Sequence, residues 1–328
     1  MRVLLTGATS MIGRETVRRL RARGDVVTVL QRSEFADADA DACIQGSITD
    51  PSVLVKAVVD QDAVIHLAAK VDIVGSFEEF VAVNVEATKN LLAVAQASGV
   101  GRFVYVSSPS VAHAGESIVG GGADVADPNS TSGHYATTKA TAELAALASS
   151  TDTMPVIAIR PHLVIGPGDT QLIGRLIDRA KAGRLPLVGS GLALVDVTWV
   201  DNAADALVAA VDRAPEHGGK AFVVSNGEPR TVEELFTRIM AAAGIEWSPR
   251  RVPAKVAIGA GSLIEKIWEA RSREDEPPMT SFAAEQLATA HWFDQERTRE
   301  ALGWEPAVPL DQAWPLLAAH YQRDEPIA

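Results

Sequence analysis

Short apolar runs rich in β-branched residues alternate along the chain with amphipathic helical patterns. The runs that predict strands are Val3 to Thr6, Val26 to Leu30, Ala63 to Leu67, Phe103 to Val106 and Val156 to Ile159. Alternating strands and helices are typical of a parallel sheet, and right-handed crossovers place helices on both of its faces. The pattern therefore predicts an α/β fold with a doubly wound parallel sheet, whose ligands lie beyond the carboxyl ends of the strands.

Composition and charge narrow the class of protein. The chain has 328 residues, 47% of them hydrophobic, which is enough for one large domain or two linked ones. A formal charge of −12 repels phosphate backbones, so we expect no nucleic-acid partner. One cysteine excludes an internal disulfide framework, no leader precedes the first strand, and no apolar run approaches the roughly 20 residues needed to cross a bilayer. We expect a cytoplasmic protein.

The first strand leads directly into a glycine-containing turn and then into a helix with Val17 and Leu20 on its inner face. Glycines in that place permit a tight turn and let the backbone approach a pyrophosphate at the helix amino terminus. Ser10 stands where a third glycine is usual, so a residue with a β-carbon must hold this turn. The sequence predicts a dinucleotide site formed by Gly7, Thr9, Ser10, Met11, Ile12 and Gly13.

The second strand ends without the acidic residue that would bond both ribose hydroxyls of NAD. In its place, Gln31 does not repel a 2′-phosphate, and Arg32 offers a planar charged fork that suits one. We therefore expect NADP(H) as the cofactor. NAD(H) remains the alternative, if Arg32 is only a solvated surface residue and Gln31 bonds the hydroxyls; Arg14 is a weaker candidate for the phosphate.

Tyr135 and Lys139 open a helical pattern beyond the strand that ends at Val106. Their spacing of four puts the phenol and the ammonium on one helical face. A phenol needs about 4 kcal/mol of phenolate stabilisation to bring its pKa from 10 to 7, and a neighbouring lysine can supply much of this. Because Ser107, Ser108 and Ser110 follow the same strand end, their hydroxyls can reach a substrate carbonyl. These residues predict hydride transfer at an alcohol or ketone carbon.

Several motifs together resemble the extended short-chain dehydrogenase/reductase family over nearly the whole chain: the turn from Thr6 to Gly13, Ile65 to Ala69, Asn84 to Thr88, the serine cluster, and Tyr135 to Lys139. The resemblance implies that Ser108 is the catalytic hydroxyl, with Ser110 as the alternative, and that Tyr135 relays the proton beside Lys139. It also implies that Asn84 supports this relay, although the residue alone suggests a helix cap. The cofactor-binding residues that it adds are Ser47, Ile48, Leu67, Ala68, Ala69, Pro161 and Leu163, together with Tyr135 and Lys139. At Ser47 an aspartate near the adenine would be usual.

Further segments look like the 3β-hydroxysteroid dehydrogenase branch of this family: Ala68 to Asp72, Ser107 to Val111, Arg160 to Asp169, Ser225 to Pro229, and Glu276 to Thr280. Within the branch they are most similar to bacterial reductases of long-chain β-keto acids that act in olefin biosynthesis. The resemblance implies NADPH-dependent reduction of a 2-alkyl-3-oxoalkanoic acid to the 2-alkyl-3-hydroxy acid. A 3β-hydroxysteroid or sterol dehydrogenase is the first alternative, and a non-catalytic NADP-binding sensor is an alternative of another class. A nucleotide-sugar epimerase or dehydratase would need a more polar second portion.

The pattern changes after Gly166, where a helix with Leu172, Leu176 and Ile177 on one face is followed by predicted strands at Val197 to Val200 and Ala221 to Val224. We expect residues 1–165 to form an NAD(P)-binding Rossmann domain that residues 195–227 rejoin. Residues 166–194 and 228–328 would form a smaller, mainly helical substrate-binding portion.

The partner predicted for this second portion is a small hydrophobic substrate. Its apolar stretch from Pro253 to Trp268 suits core or a substrate pocket better than a membrane surface, because it carries few basic residues. A weak membrane association and a homodimer remain open. His113 and His162 follow strand ends and either touch substrate or are structural. We predict no metal site, since no histidine pair has metal-ligand spacing and a third partner.

Overall fold

The computed structural model describes residues 1–35, 40–71, 75–113, 115–270 and 280–323, without the side chains of residues 269, 270 and 323. Asp72 and the segment 276–279, which belong to two of the motifs above, lie outside these residues. The strands are β1 (Arg2–Thr6), β2 (Val26–Gln31), β3 (Ala42–Gln45), β4 (Ala63–His66), β5 (Arg102–Val106), β6 (Ile118–Gly121), β7 (Val156–Pro161), β8 (Val164–Ile165), β9 (Leu187–Val188), β10 (Leu194–Val195), β11 (Thr198–Trp199), β12 (Ala221–Val224), β13 (Arg230–Thr231), β14 (Arg251–Val252) and β15 (His291–Phe293).

Seven strands form the main sheet in the spatial order β3-β2-β1-β4-β5-β7-β12, and every neighbouring pair is parallel. This confirms the predicted doubly wound sheet. Strand β1 pairs with both β2 and β4, so the chain changes winding direction there. Parallel sheets of this kind bind their ligands at that switch point, beyond the carboxyl ends of the strands.

Helices cover both faces of the main sheet and fill the second portion: α1 (Met11–Ala22), α2 (Pro51–Ala57), α3 (Phe77–Phe80), α4 (Ala87–Ala97), α5 (Gly133–Ala148), α6 (Ile173–Lys181), α7 (Val200–His217), α8 (Val232–Ala242), α9 (Ala254–Ala270), α10 (Ser281–Ala288), α11 (Glu296–Leu302) and α12 (Leu310–Arg323). Successive strand residues point to opposite faces. Val3 and Leu5 of β1 accordingly pack with α1 and α7 on one face, and Leu4 packs with α2 and α4 on the other.

Two strand predictions need correction. Strand β3 was not predicted, because it is a short edge strand of mostly exposed residues without an apolar pattern. The predicted strand from Val197 to Val200 is wrong in extent: only β11 is extended, it pairs with β8 in a separate sheet, and Val200 begins α7. The β-branched run favours a strand locally, but the alanine-rich segment after it buries a helical face against α1 and the main sheet.

A further buried core is built mainly from α6, α8 and α12, and it includes Val195, Val197 and Trp199. A small sheet has the order β13-β10-β15-β6, so that β6 from the first 165 residues pairs with β15. The apolar stretch from Pro253 to Trp268 lies largely in α9, which packs on α10. Ala257 is buried in that contact, whereas Val256 and Leu263 are exposed. The core interpretation therefore holds for one face of α9. None of the described helices is both long enough and apolar enough to span a membrane.

Candidate active site

The turn between β1 and α1 is held by a serine where a glycine was expected. The Ser10 hydroxyl accepts a hydrogen bond from Gly13 N at 3.0 Å and donates one to Gly7 O at 2.9 Å. Gly7 has a φ of 79°, and a β-carbon there would lie 2.8 Å from Ala68 N. A β-carbon on Gly13 would lie 2.4 Å from Gly7 O. Gly7 is therefore needed where the turn packs against the segment after β4, and Gly13 where α1 packs against the turn itself. Ser10, with a φ of −68°, replaces the third glycine without strain.

This turn fits the pyrophosphate of a dinucleotide. It delivers the chain to the amino terminus of α1, where the first backbone N–H groups have no partner within the helix and attract an anion. Thr9 and Ser10 are exposed, while Met11 and Ile12 are half-buried. The first turn of α1 offers backbone N–H donors and carries no acidic side chain, and this combination suits a phosphate.

At the end of β2, Gln31 and Arg32 differ in their exposure to solvent. Gln31 is buried and its amide donates to Ser33 O at 3.2 Å, while its Oε1 has no hydrogen-bond partner among the described residues. Arg32 is exposed. Of the two residues predicted to bind near the adenosine ribose, Arg32 is therefore the one whose side chain can reach a ligand. Nearby, Ile48 is buried and the Ser47 hydroxyl is 2.7 Å from that of Thr49.

Three hydroxyls line up beyond the end of β5. The Ser108 and Ser110 hydroxyls are 3.0 Å apart, and Ser108 is hydrogen-bonded to the Tyr135 phenol. Ser108 is thus the serine that the fold brings to Tyr135, and Ser110 lies one hydroxyl further along. Ser107 is buried, and its hydroxyl has no hydrogen-bond partner among the described residues, so it takes no part in this chain of bonds. A carbonyl oxygen between Ser108 and Tyr135 would find two hydroxyl donors.

Lys139 is buried one turn below Tyr135 on α5. Its Nζ donates to Val106 O at 2.6 Å and lies 4.1 Å from the centre of the Tyr105 ring. Burial lowers the pKa of Lys139 to about 7, against the opposing charge of Glu143. Burial raises the pKa of Tyr135 to about 12, against the hydrogen bond with Ser108. In the protein alone, burial therefore leaves the phenol pKa raised, and the lowering expected from Lys139 stays a prediction.

Asn84 does not cap a helix. It lies buried in a π-helical turn, Val81–Glu86, between α3 and α4. Its Oδ1 accepts from Lys70 N at 2.7 Å, and its Nδ2 donates to Lys70 O at 3.1 Å and to Thr138 Oγ1 at 3.1 Å. Asn84 therefore ties the segment after Ala69 to α5, between Tyr135 and Lys139.

A buried histidine connects this asparagine to the nucleotide turn. His66 Nδ1 is 2.7 Å from Thr6 Oγ1, and its Nε2 is 2.9 Å from Thr88 Oγ1. Since the Thr88 hydroxyl donates to Asn84 O at 2.7 Å, it accepts from His66 Nε2–H, which leaves Nδ1 to accept from Thr6. Burial lowers the pKa of His66 to about 3, so the ring is neutral. No function is predicted for His66 from the sequence, because an isolated histidine at the end of an apolar strand is more often structural.

The residues expected beside the nicotinamide surround the ends of β4 and β7. Leu67, Ala68 and Ala69 follow β4 and are half-buried, and Pro161 ends β7. Leu163 is exposed and has a φ of 38°, which is unusual for a residue with a side chain and fixes the turn after β7.

The two histidines that follow strand ends differ in their surroundings. His162 is buried, and its Nδ1 is 2.5 Å from Asp196 O. Its ring packs edge-on against His291 and Phe293, with centres 5.1 and 5.0 Å apart, which is a structural role. His113 is half-buried near Phe293. Over the described ranges, no group of three or more His, Cys, Asp or Glu side chains is arranged to hold a metal ion.

Comparisons with known proteins agree with this geometry. The sequence profile of the NAD dependent epimerase/dehydratase family matches residues 3–225. The chain is 39% identical over 319 residues to a 2-alkyl-3-oxoalkanoate reductase of Stenotrophomonas maltophilia, covering 95% of this chain and 97% of that protein. It is 31% identical over 332 residues to a 3β-hydroxysteroid dehydrogenase/Δ5→4-isomerase of Mycobacterium tuberculosis, covering 95% of this chain and 88% of that one.

The fold is shared with a solved structure of MoeE5 in complex with UDP-glucuronic acid and NAD, with a TM-score of 0.74, 24% identity, and coverage of 99% of this chain and 100% of that one. The family expected from the motifs is thus confirmed. The chain belongs to the NAD-dependent epimerase/dehydratase family, the extended short-chain dehydrogenases/reductases, and is an NAD(P)-dependent oxidoreductase.

Proposed function

We propose that the protein is an NADPH-dependent reductase that converts a 2-alkyl-3-oxoalkanoic acid to the 2-alkyl-3-hydroxy acid in olefin biosynthesis. The observation that carries this proposal is the 39% identity, over nearly the full length of both chains, to a 2-alkyl-3-oxoalkanoate reductase. The hydroxyls of Ser108 and Tyr135 and the ammonium of Lys139, which meet beyond the end of β5, support a reaction at a ketone. The substrate class is a small hydrophobic molecule that carries a carboxylate.

The side chains have separate tasks in this reduction. When bound, the nicotinamide cofactor supplies the hydride that C3 of the substrate accepts. Ser108 Oγ and Tyr135 Oη hold the ketone oxygen, and Tyr135 Oη gives its proton to that oxygen as negative charge develops. A phenol pKa of about 12 keeps Tyr135 protonated at neutral pH, the form that a reductase needs. The Lys139 ammonium balances the phenolate that remains.

The preference for NADPH rests on the end of β2. Arg32 is exposed, the end of β2 itself carries glutamine where an acidic residue would bond the ribose of NAD, and Gln31 is buried. A guanidinium recognises a 2′-phosphate by paired, charge-assisted hydrogen bonds. The Gly7–Gly13 turn would hold the pyrophosphate, and Leu67, Ala68, Ala69, Pro161 and Leu163 would lie along the nicotinamide.

A 3β-hydroxysteroid dehydrogenase is the second candidate, favoured by the 31% identity to the Mycobacterium tuberculosis enzyme. Both activities use the same hydroxyl and lysine groups, so these residues do not choose between them. The choice lies in the second portion and in the cofactor.

A matrix of cofactors and substrates tests the proposal. NADPH and NADH are each combined with a 2-alkyl-3-oxo acid and with a 3-oxosteroid, and nicotinamide oxidation is followed by absorbance. Because β-keto acids lose carbon dioxide readily, the reverse reaction with a 2-alkyl-3-hydroxy acid and NADP⁺ is run in parallel. We expect turnover with NADPH and the β-keto acid. Turnover restricted to NADH and the steroid would overturn both the substrate and the cofactor.

A further inference from the structure

A buried aromatic ring faces the lysine of the candidate site from below. Tyr105 of β5 is 1% exposed, and its ring centre is 4.1 Å from Lys139 Nζ. Its hydroxyl is buried and has no hydrogen-bond partner among the described residues. A buried tyrosine ordinarily satisfies its hydroxyl, so hydrogen bonding does not explain why an aromatic ring stands here. The ring packs in the core and lies 6.0 Å from the His66 ring centre, and its one charged neighbour among these contacts is the Lys139 ammonium.

A buried ion pair lies one helical turn further along. Glu143 is four residues after Lys139 on α5, and it accepts hydrogen bonds from Arg160 Nε at 2.9 Å and Nη2 at 2.5 Å. Both side chains are 1% exposed. A buried pair of this kind contributes little net stability, since desolvation offsets the attraction. Because Glu143 lies one turn from Lys139 on α5, its negative charge favours the charged form of the lysine.

We propose that Tyr105 is a positioning residue for Lys139: its ring face, together with the carboxylate of Glu143, keeps the Lys139 ammonium charged and fixed at Val106 O beneath the cofactor site. A cation over an aromatic face is stabilised most when both groups are desolvated, as they are here. Neither Tyr105 nor Glu143 touches the reacting atoms. Their effect passes through Lys139.

Few other groups around Lys139 can stabilise its ammonium charge. Tyr135 and Glu143 share its helix, His66 approaches from β4, Tyr105 from β5, and Arg160 from β7 near Glu143. His66 is neutral, and the charge of Arg160 is paired with Glu143. Glu143 is thus the anion of this set and is shared with Arg160. The Tyr105 ring is the further group that stabilises the Lys139 ammonium.

The sign of the effect follows from which form of the lysine the ring favours. An aromatic face stabilises the ammonium and not the amine, so removing it lowers the lysine pKa. The charged form is then lost at a lower pH. The basic limb of the kcat/KM profile, and of cofactor affinity, should move downward, while the acidic limb stays in place.

Tyr105→Leu and Tyr105→Phe form a matched pair for the test. Phenylalanine keeps the ring and removes only the unpartnered hydroxyl, whereas leucine keeps an apolar side chain and removes the ring. We expect the basic limb of Tyr105→Leu to move down by about one pH unit, the shift that a cation–π contact of ordinary strength produces. Tyr105→Phe should follow the unsubstituted protein. NADP⁺ affinity, measured by tryptophan fluorescence across the same pH range, should show the same pattern.

A second series guards against misfolding of the leucine variant. Phenylalanines with increasing numbers of ring fluorines at position 105 keep the shape of the side chain but withdraw electron density from its face. The basic limb should move downward with each fluorine. A basic limb that is independent of ring fluorination, or a Tyr105→Leu variant that loses activity equally at every pH, would show that the ring only fills space and would overturn the proposal.

The proposed role of Tyr105 depends on the proposed reduction only in the part of the test that measures kcat/KM. If the protein does not turn over β-keto acids, the pH dependence of NADP⁺ affinity still reports the charge of Lys139. An unchanged affinity profile in the fluorinated series therefore counts against Tyr105, whereas absence of turnover counts against the reduction.

Discussion

Tyr135 and Lys139 each have a pKa that differs from that of a surface residue of their type. Burial raises the pKa of the phenol to about 12 and lowers that of the ammonium to about 7. The phenol is thereby a proton donor at neutral pH, and the lysine is poised to respond to small changes around it. Opposite shifts one turn apart on α5 follow from one cause, because desolvation penalises the charged form of each group.

The first prediction concerns the phenol. Tyr135→Phe should lower kcat by about 10²–10⁴-fold, because the ring stays in place and only the proton donor is removed. The Kd for NADPH, measured by tryptophan fluorescence, should change little. Ser110→Ala serves as the control, since that hydroxyl lies beyond Ser108 and should cost much less activity. Turnover retained by Tyr135→Phe would assign the proton to another group and favour a cofactor-binding sensor.

The second prediction concerns the arginine at the end of β2. Arg32→Ala should raise the KM for NADPH at least tenfold and leave that for NADH nearly unchanged, because a charged paired hydrogen bond is worth about 1.5–3 kcal/mol and only NADPH carries the phosphate. Arg238→Ala, an exposed arginine on α8, is the matched control. Equal effects on the two cofactors would remove Arg32 from phosphate recognition.

At the scale of elements, hydrogen bonds through buried hydroxyls join four parts of the fold. Thr6 ends β1, His66 ends β4, Thr88 lies on α4, and Asn84 precedes it in the π turn. From Asn84 the chain of bonds continues to Thr138 on α5. The nucleotide turn and the helix of Tyr135 are thus connected by a continuous series of buried hydrogen bonds.

The third prediction tests that connection. Thr88→Val keeps the shape of the side chain but leaves His66 Nε2–H without its partner and removes the hydroxyl hydrogen bond to Asn84 O, which should cost about 1–3 kcal/mol of unfolding free energy. Thr88→Ser keeps the hydroxyl and loses only a methyl group. Urea denaturation should therefore rank the valine variant below the serine variant. The reverse order would mean that methyl packing, and not the hydrogen bonds, matters at Thr88.

The elements of the fold differ in how well local sequence predicts them. Strands β1, β2, β4, β5 and β7 are runs of buried β-branched residues, and their limits agree with the sequence pattern to within a residue or two. The sequence pattern does not predict the short edge strand β3 or the start of helix α7. Strand β3 forms because it pairs with β2, and α7 forms because it packs on α1. Local patterns do not contain these tertiary contacts.

The candidate site divides in the same way. Gly7 and Ser108 were predicted because they directly follow strand ends, and Tyr135 and Lys139 because their spacing of four forms a motif on one helix. The roles of Tyr105, Glu143 and Arg160 were not, since Arg160 meets Glu143 across 17 residues and Lys139 meets Val106 across 33. Burial also raises the pKa of Tyr135 in the protein alone. A sequence names the groups of a site, but their desolvation comes from the assembled fold.

For the whole molecule, the buried bases make stability depend on pH in one direction. The pKa values of His66 and His162 fall to about 3 in the folded protein, and that of Lys139 falls to about 7. In each case the unfolded chain binds more protons, so stability is present above the unfolded pKa and is lost as the pH falls. Asp196 has the opposite sign: its pKa is raised to about 6, and it partly offsets the histidines in acid.

The fourth prediction follows from Lys139. Its unfolded pKa of 10.5 and folded pKa of about 7 mean that stability without cofactor should rise with pH between these values. At the slope of about 1.4 kcal/mol per pH unit for one proton, the gain from about pH 7 to pH 9 is on the order of 2 kcal/mol. Urea midpoints measured across this range should increase, and Lys139→Met should flatten the increase. Lys89→Met, a half-exposed lysine on α4, should not.

Urea midpoints measured with bound NADP⁺ test whether the charge of Lys139 takes part in cofactor binding. If Lys139 is held charged beneath the nicotinamide ribose, the folded pKa rises towards the unfolded one and the slope between about pH 7 and pH 9 decreases. NADP⁺ should accordingly stabilise the protein less at about pH 9 than at neutral pH. A stabilisation that is equal at both pH values in the unsubstituted protein, and unaffected by Lys139→Met, would place the Lys139 charge outside cofactor binding.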